Sequence, residues 1–299
     1  MSQTVCQRFV REQGAEWPAA YPADVSVTAE PKVIALPRLG WIREYSELLR
    51  TMLRRELRVK YKASALGILW SYLYPLAMVA VYTLVFSFLW RAVDIPHYPL
   101  FILSGLAVWT FFQAATQLAA GSIVANANLI RSVRFPREVI PTSVVLAQAV
   151  ASLVMFAVVV PTAFVLVPAV GVSMLLAVPM FLAFLCLALG VGWLVSTATV
   201  FFRDVEHLVA VLFLPWFFLT PILYSLDKLP RAAGHPTLIH VLRYGNPVTP
   251  YIEGIRGVLV QGHAPGPSLL VYIFVVGPLV AAIGLGVIQR YEGRFAVEV

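Results

Sequence analysis

Charge is what this chain has least of: Asp, Glu, Lys and Arg make up 12% of its 299 residues. None of them falls inside the six long apolar runs, at about 70–90, 99–120, 139–165, 173–200, 207–225 and 268–289. Carriers driven by ions or protons place ionisable groups near the bilayer midplane, so runs without them speak against ion-coupled transport. Cysteine is nearly missing. Cys6 lies in the N-terminal stretch and Cys186 inside an apolar run, which supports neither a disulfide framework nor a cysteine-built metal site. No G-x-x-x-x-G-K-[ST] phosphate loop occurs, so ATP is not bound by that route in this chain. Among His97, His207, His235, His240 and His263 no pair has metal-ligand spacing on a helix beside a carboxylate, and no metal site is expected. The first 37 residues lack an apolar run, and with Pro18, Pro22, Pro31 and Pro37 they read as a flexible tail rather than a signal peptide.

What is present is apolar surface. Hydrophobic residues make up 60% of the chain and the mean hydropathy is +0.82. Runs of about twenty residues, nearly continuous in Leu, Val, Ala and Phe, fit spanning helices; a transmembrane barrel would alternate in segments of about ten. The fold class expected is all-α: a polytopic membrane domain over residues 38–299 with six spans, an interfacial helix at 42–62 and a flexible tail at 1–37. Segments 38–62, 121–138, 201–206 and 290–299 hold eight, three, one and two Lys or Arg residues, while the opposite side holds Arg91, Lys228, Arg231, Arg243 and Arg256. The positive-inside rule then places both termini in the cytoplasm. The same asymmetry accounts for most of the +7 formal charge, and no nucleic-acid partner is expected.

The interfacial segment is amphipathic. At 100° per residue Arg50, Arg54, Arg58 and Lys62 share one face, with Leu49, Met52, Leu53, Leu57 and Val59 opposite; Glu56 and Lys60 interrupt the apolar side, so the helix sits shallowly or against protein. The cluster Arg54, Arg55, Arg58, Lys60 and Lys62 has two readings: anchoring by positive charge, or a cationic receptor at a gate for a lipid-diphosphate headgroup, where Arg offers bidentate phosphate contacts. A second segment, Asn126 to Arg137, contains Asn128, Leu129, Ile130, Arg131, Val133, Arg134, Phe135 and Pro136. Asn126 or Asn128 can cap a short helix that Pro136 stops, and Leu129, Ile130 and Val133 would form one apolar side. That pattern suits docking in a groove of a soluble protein, and it also suits an ordinary basic loop.

Polar chemistry in the spans falls to aromatic residues. Tyr72, Tyr74, Tyr82, Phe86 and Trp90 lie in or beside the first span, and Trp216, Phe217, Phe218 and Tyr224 in or beside the fifth. Their rings either anchor at the membrane interface, as Trp70, Trp90 and Trp109 near span ends suggest, or line a path whose flat faces stack on sugar rings. Between the last two spans, Ser225 to Pro267 is broken by Pro247 and Pro250, with Pro221 just ahead, into pieces suited to dipping part-way into the outer leaflet and closing the outer mouth. Asp204 is placed to cap the fifth span.

One run carries a family likeness. Arg58-Val-Lys-Tyr-Lys-Ala-Ser-Ala-Leu-Gly-Ile-Leu-Trp-Ser-Tyr-Leu-Tyr-Pro-Leu76 closely resembles the start of the first span in permease subunits of bacterial ATP-binding-cassette polysaccharide exporters, the O-antigen and teichoic-acid type. Asn128-Leu-Ile, Phe135-Pro136, Pro141, Phe202-Arg203-Asp204, Asn246-Pro247, Tyr251 and Arg256 follow in the family's order. The likeness extends from about residue 45 to the end. It implies the type 2 exporter permease fold, a homodimer of this chain with two copies of a separate nucleotide-binding ATPase subunit that binds ATP and Mg, and no cofactor in this chain. It further implies that 126–137 is the coupling helix, that 48–62 is the gate helix, and that the cargo is a polyprenyl-diphosphate-linked glycan moved outward across the inner membrane.

Two other readings stand beside it: a membrane enzyme acting on polyprenyl-phosphate glycans, and an exporter permease for another cargo such as a drug. The enzyme would need acidic residues to converge on the bilayer surface. Candidates are Asp94, with His97, near Asp227 or Glu253.

Overall fold

The computed structural model describes residues 45–61, 70–89, 95–133, 135–168, 171–228 and 236–298, all within the unit from Ile34 to Val299. Outside the described residues fall the tail at 1–37, Lys62, Trp90, Asp94, Arg134 and His235; the side chains of Tyr72 and Tyr74 do as well. No strand occurs among the described residues.

Helix α1, Ser46–Tyr61, is amphipathic and buries Met52. Helix α2, Trp70–Thr83, continues as a π turn over Leu84–Leu89. Helix α3, Tyr98–Ala125, starts with Pro in its first turn after His97, whose φ of 51° is left-handed. Six-residue α4, Ala127–Ser132, links α3 to α5, Val139–Leu166. A 3-10 turn, Val172–Leu176, leads into α6, Ala177–Phe201, and α7 spans Asp204–Leu219. Two short helices, α8 (Pro236–His240) and α9 (Thr249–Arg256), each run on into a π turn, and α10 covers Pro267–Glu298.

Four of these helices are long and apolar enough to cross a membrane: Tyr98–Ala125, Val139–Leu166, Ser173–Phe201 and Pro267–Phe295. The first and fifth predicted spans appear as shorter helices, α2 and α7. The end of α7 differs from the expected 225 for a local reason: Thr220 precedes Pro221, which drives it to extended backbone at φ −90°, ψ 133° and stops the helix at Leu219. The start differs too. Arg203 holds the N-cap position without a side-chain hydrogen bond, so Asp204 is not the cap; with Glu206 it places negative charge in the first turn, facing the positive end of the helix dipole.

Helix α3 is the centre, 78% of its most apolar stretch being buried, against 33% for α5 and α6 and 28% for α10. In lipid the apolar effect does not hold helices together; close packing through small residues does. The α6–α10 pair shows it: a methyl group at Gly190 would run into the backbone of Val280 and Ala281, one at Gly284 into Gly190, and one at Gly277 into Ala183. A second core gathers at the other end of the bundle, where Met52 of α1 meets Ile123, Ile130, Phe135, Ile140, Trp193, Leu285 and Phe295.

Candidate functional site

The second core fixes α4. Ile130 and Phe135 are buried in it and Leu129 packs half-buried against it, while Asn128, Arg131 and Val133 are exposed and Pro136 is half-buried. The expected single apolar side of Leu129, Ile130 and Val133 is therefore divided: Ile130 faces its own chain, and Val133, at 51% exposure, alone of the three points fully outward. The reason is geometric, since a six-residue helix held between two long ones has to bury one side to be held at all. Asn126 receives the first-turn N–H groups of Leu129 and Ile130 on its carbonyl, but its side chain does not cap. Its Nδ2 donates to the Ser122 carbonyl at 2.9 Å and its Oδ1 accepts from Arg55 at 3.2 Å. Arg137 donates to the carbonyls of Val133 and Phe135 and lies over the Phe135 ring at 5.2 Å, closing the segment.

Arg54 and Arg58 stand exposed on the outer face of α1, as the periodicity predicts, with Arg50 paired to Glu47 beside them. Arg55 and Lys60 point elsewhere. Arg55 reaches Asn126, and Lys60 donates to Gln148 of α5 at 2.6 Å. Burial pushes the Lys60 ammonium below its usual pKa. Helix α1 thus packs against protein, the second of the two placements its interrupted apolar face allows.

The aromatic residues converge on α3. Trp109 is buried at 2% exposure, eleven residues past the start of its helix, which corrects its expected place near a span end. Its ring lies 5.6 Å from Phe213, 6.0 Å from Trp216 and 5.8 Å from Phe217, all edge-on. Tyr82 stacks on Phe217 at 6.1 Å and lies 6.4 Å from Phe86. The structure so brings together Tyr82, Phe86, Trp216 and Phe217 across α2, α3 and α7. Tyr224 folds back to the carbonyls of Phe218 and Leu219, and Phe218 is 59% exposed.

A polar node under this cluster shows no periodicity in the sequence. Trp216 donates to Asn246 at 3.0 Å, and Asn246 donates to Thr220 at 2.8 Å. Arg256 is buried at 3% exposure. It donates to the carbonyls of Pro221 and Ile222 at 2.8 and 3.0 Å and stacks over Phe101 at 3.6 Å. Those carbonyls lie in the turn that follows the C-cap of α7, so a side chain from α9 holds the chain where it leaves that helix. Burial lowers the guanidinium to about 9, high enough to stay charged at neutral pH.

Nearby, Arg243 joins Glu253 at 2.7 Å and Asp227 at 2.8 Å. Burial pushes the Glu253 carboxyl up while its bonds to Arg243 pull it down, the net being upward. Two of the three carboxylates considered for acid–base chemistry, Asp227 and Glu253, are held by this one cation; the third, Asp94, lies outside the described residues. At the opposite end, Glu138, buried at 2%, accepts from Gln289 at 3.0 Å and ties the start of α5 to α10; its run, Pro-Arg-Glu-Val, gives no sign of that in the sequence.

Residues 47–260 match the family described as ABC-2 type transporter. The chain is similar to the O-antigen export system permease protein RfbA of Klebsiella pneumoniae, with 31% identity over 251 residues, 84% of this chain and 94% of that protein. The Myxococcus xanthus protein of the same name is 29% identical over 253 residues, covering 85% and 95%. The polysialic acid transport protein KpsM of Escherichia coli is 22% identical over 244 residues, covering 80% and 91%.

Proposed function

The chain belongs to the ABC-2 type transporter family, and from that membership we propose that it is the transmembrane subunit of an ATP-driven exporter carrying a lipid-linked cell-envelope polysaccharide across the inner membrane. It is a multi-pass transport subunit, and the ATPase is a separate protein. The observation that carries the choice of cargo is the near full-length similarity to two O-antigen export permeases.

The finer reading has six spans, with α2 and α7 as the first and fifth, cytoplasmic termini, and α8 and α9 dipping from the outer side. Two copies of the chain pair with two ATPase subunits, which bind ATP and Mg. Helix α4 is the coupling helix: Ile130 roots it in the bundle and Asn128, Arg131 and Val133 face the ATPase. Helix α1 is the gate. Arg54 and Arg58 meet the diphosphate from the inner leaflet, and Arg55 passes movement of α4 to α1 through Asn126. The aromatic belt of Tyr82, Phe86, Trp216 and Phe217 lies beside the path, where ring faces tolerate many sugars.

Co-expression with the partner ATPase subunit tests this. The complex should co-purify and hydrolyse ATP. The double substitution Arg131→Glu with Val133→Asp should abolish co-purification while the chain alone stays monodisperse, because both side chains are exposed and neither supports the second core. An undiminished complex in that variant would overturn the coupling role of α4.

A further inference from the structure

Two buried polar atoms near the α4 end of the bundle have no hydrogen-bond partner among the described residues: Oε2 of Glu138, at the start of α5, and the hydroxyl of Thr197 on α6. Their residues are 2% and 4% exposed. The register of the two helices puts them at one level. Trp193 of α6 donates to the Thr142 hydroxyl of α5 at 3.0 Å, and a Cβ at Gly192 would stand 3.1 Å from Val145, so residue numbers rise along α6 as they fall along α5. One turn nearer to α4, four residues on from Trp193 and four back from Thr142, the same two faces carry Thr197 and Glu138. Glu138 already follows the helical turn, since its carbonyl accepts the Thr142 N–H at 3.1 Å and the Thr142 hydroxyl at 2.6 Å. The rung at Trp193 is made and the next one is open, with a donor on one helix and an acceptor on the other.

A buried hydroxyl and a buried carboxylate oxygen each cost free energy when left unpaired. The bond that would satisfy both, from O–H to carboxylate, is of the strong charge-assisted kind. A small displacement of α5 against α6 would close it, and the packing shows which bodies can shift. Helices α6 and α10 form one body, held by backbone contact at Gly190, Gly277 and Gly284, and Gln289 of α10 donates to the other Glu138 oxygen at 3.0 Å. The opposing body is α4 with the first turn of α5. Arg137 closes their link by donating to the carbonyls of Val133 and Phe135, and Val139 and Ile140 donate back to Pro136 and Arg137. Glu138 therefore sits where a push on α4 meets the α6–α10 body.

We propose that Glu138 and Thr197 form a two-position catch. In this structure the carboxylate is held by Gln289 alone; when the ATPase drives α4, the free oxygen accepts the Thr197 hydroxyl and holds the displaced position. The inference rests on the exporter reading above, in which α4 receives the ATPase, and it names the positioning residues that pass the stroke to the α6–α10 body. The open rung is what makes the two positions differ: Thr197 contributes no hydrogen bond to the first and a charge-assisted one to the second.

The full complex with its ATPase is heated in detergent, both resting and after trapping with Mg-ATP and vanadate, and export of lipid-linked glycan per ATP hydrolysed is followed in proteoliposomes. Thr197→Val keeps the shape and removes a hydroxyl that has no bond in the resting state, so the resting thermal midpoint should stay or rise. The trapped midpoint should fall, and export per ATP should drop about tenfold. Thr197→Ser should restore both. In a Glu138→Ala background, or Glu138→Met should the Ala variant not assemble, Thr197→Val should have no further effect on the trapped midpoint. A resting midpoint lowered as far as the trapped one would make Thr197 a packing residue and overturn the proposal, as would an undiminished Thr197→Val effect in the absence of Glu138. If the trapped midpoint depends on Thr197 and Glu138 together but glycan-bearing lipid neither moves nor alters hydrolysis, the catch stands and the export reading falls. If export per ATP is untouched by Thr197→Val, export stands and the catch falls.

Discussion

Arg256 shows how much one buried residue does in this molecule. Its two carbonyl contacts and its stacking on Phe101 join α9, the turn after α7 and α3, and they explain why position 105 is glycine: a Cβ there would stand 2.5 Å from the guanidinium. Arg256→Met would strand two buried carbonyls, at about 1–3 kcal/mol each, offset in part because the cation's own desolvation is relieved. Arg256→Lys keeps the charge but loses the planar fork that spans two acceptors. Both variants, and Gly105→Ala, should lower the thermal aggregation midpoint in detergent. Rescue of Arg256→Met stability by Lys would show that charge rather than geometry matters. From the sequence, Arg256 was visible only as a family match and one of five basic residues outside the segments expected in the cytoplasm. Nothing in its spacing says that it is buried, because its partners are backbone carbonyls 34 and 35 residues away.

At the scale of the element, the α6–α10 contact inverts the usual effect of helix propensity. Glycine to alanine in a helix interior ordinarily stabilises by about 1 kcal/mol, yet at Gly284 or Gly190 the added methyl meets opposing backbone, which cannot swing aside as a side chain can. Overpacking of this kind costs about 1–3 kcal/mol. Gly284→Ala should therefore destabilise, while Gly293→Ala on the same helix, where nothing stands within 4 Å, should be neutral or stabilising. Equal effects at the two positions would contradict backbone contact at Gly284. Element types were legible from the runs alone: all six apolar segments are helical, α5 and α6 close to their predicted limits. The shortfall in α7 came from Thr220–Pro221, a local signal that a hydropathy window averages away.

For the whole molecule, the uncovered apolar surface sets the expectation. On α7 only Phe213 is buried, while Val211, Leu214 and Phe218 are each more than half exposed. In a bilayer such a face meets either lipid or a second copy, and the proposed assembly has two copies. Native mass spectrometry of the intact complex should give two chains of 33.0 kDa with two ATPase subunits; a complex holding a single copy of this chain would overturn that stoichiometry.

By itself the sequence determined the class, since near-absence of charge from runs of about twenty residues leaves the spanning helix as the only structure that satisfies its backbone in lipid. It also determined the outward face of α1, because Arg54 and Arg58 obey a period of 3.6. The tertiary structure alone decided which members of each cluster do what. It turned Ile130 inward and left Val133 out, carried Lys60 to Gln148 while Arg54 stayed at the surface, and placed Trp109 at the centre of the aromatic belt rather than at a rim. Periodicity records one helix and its nearest environment, whereas these assignments depend on contacts between segments far apart in the chain, such as Trp109 and Phe217 at a separation of 108 residues, and such contacts exist only once the helices have packed.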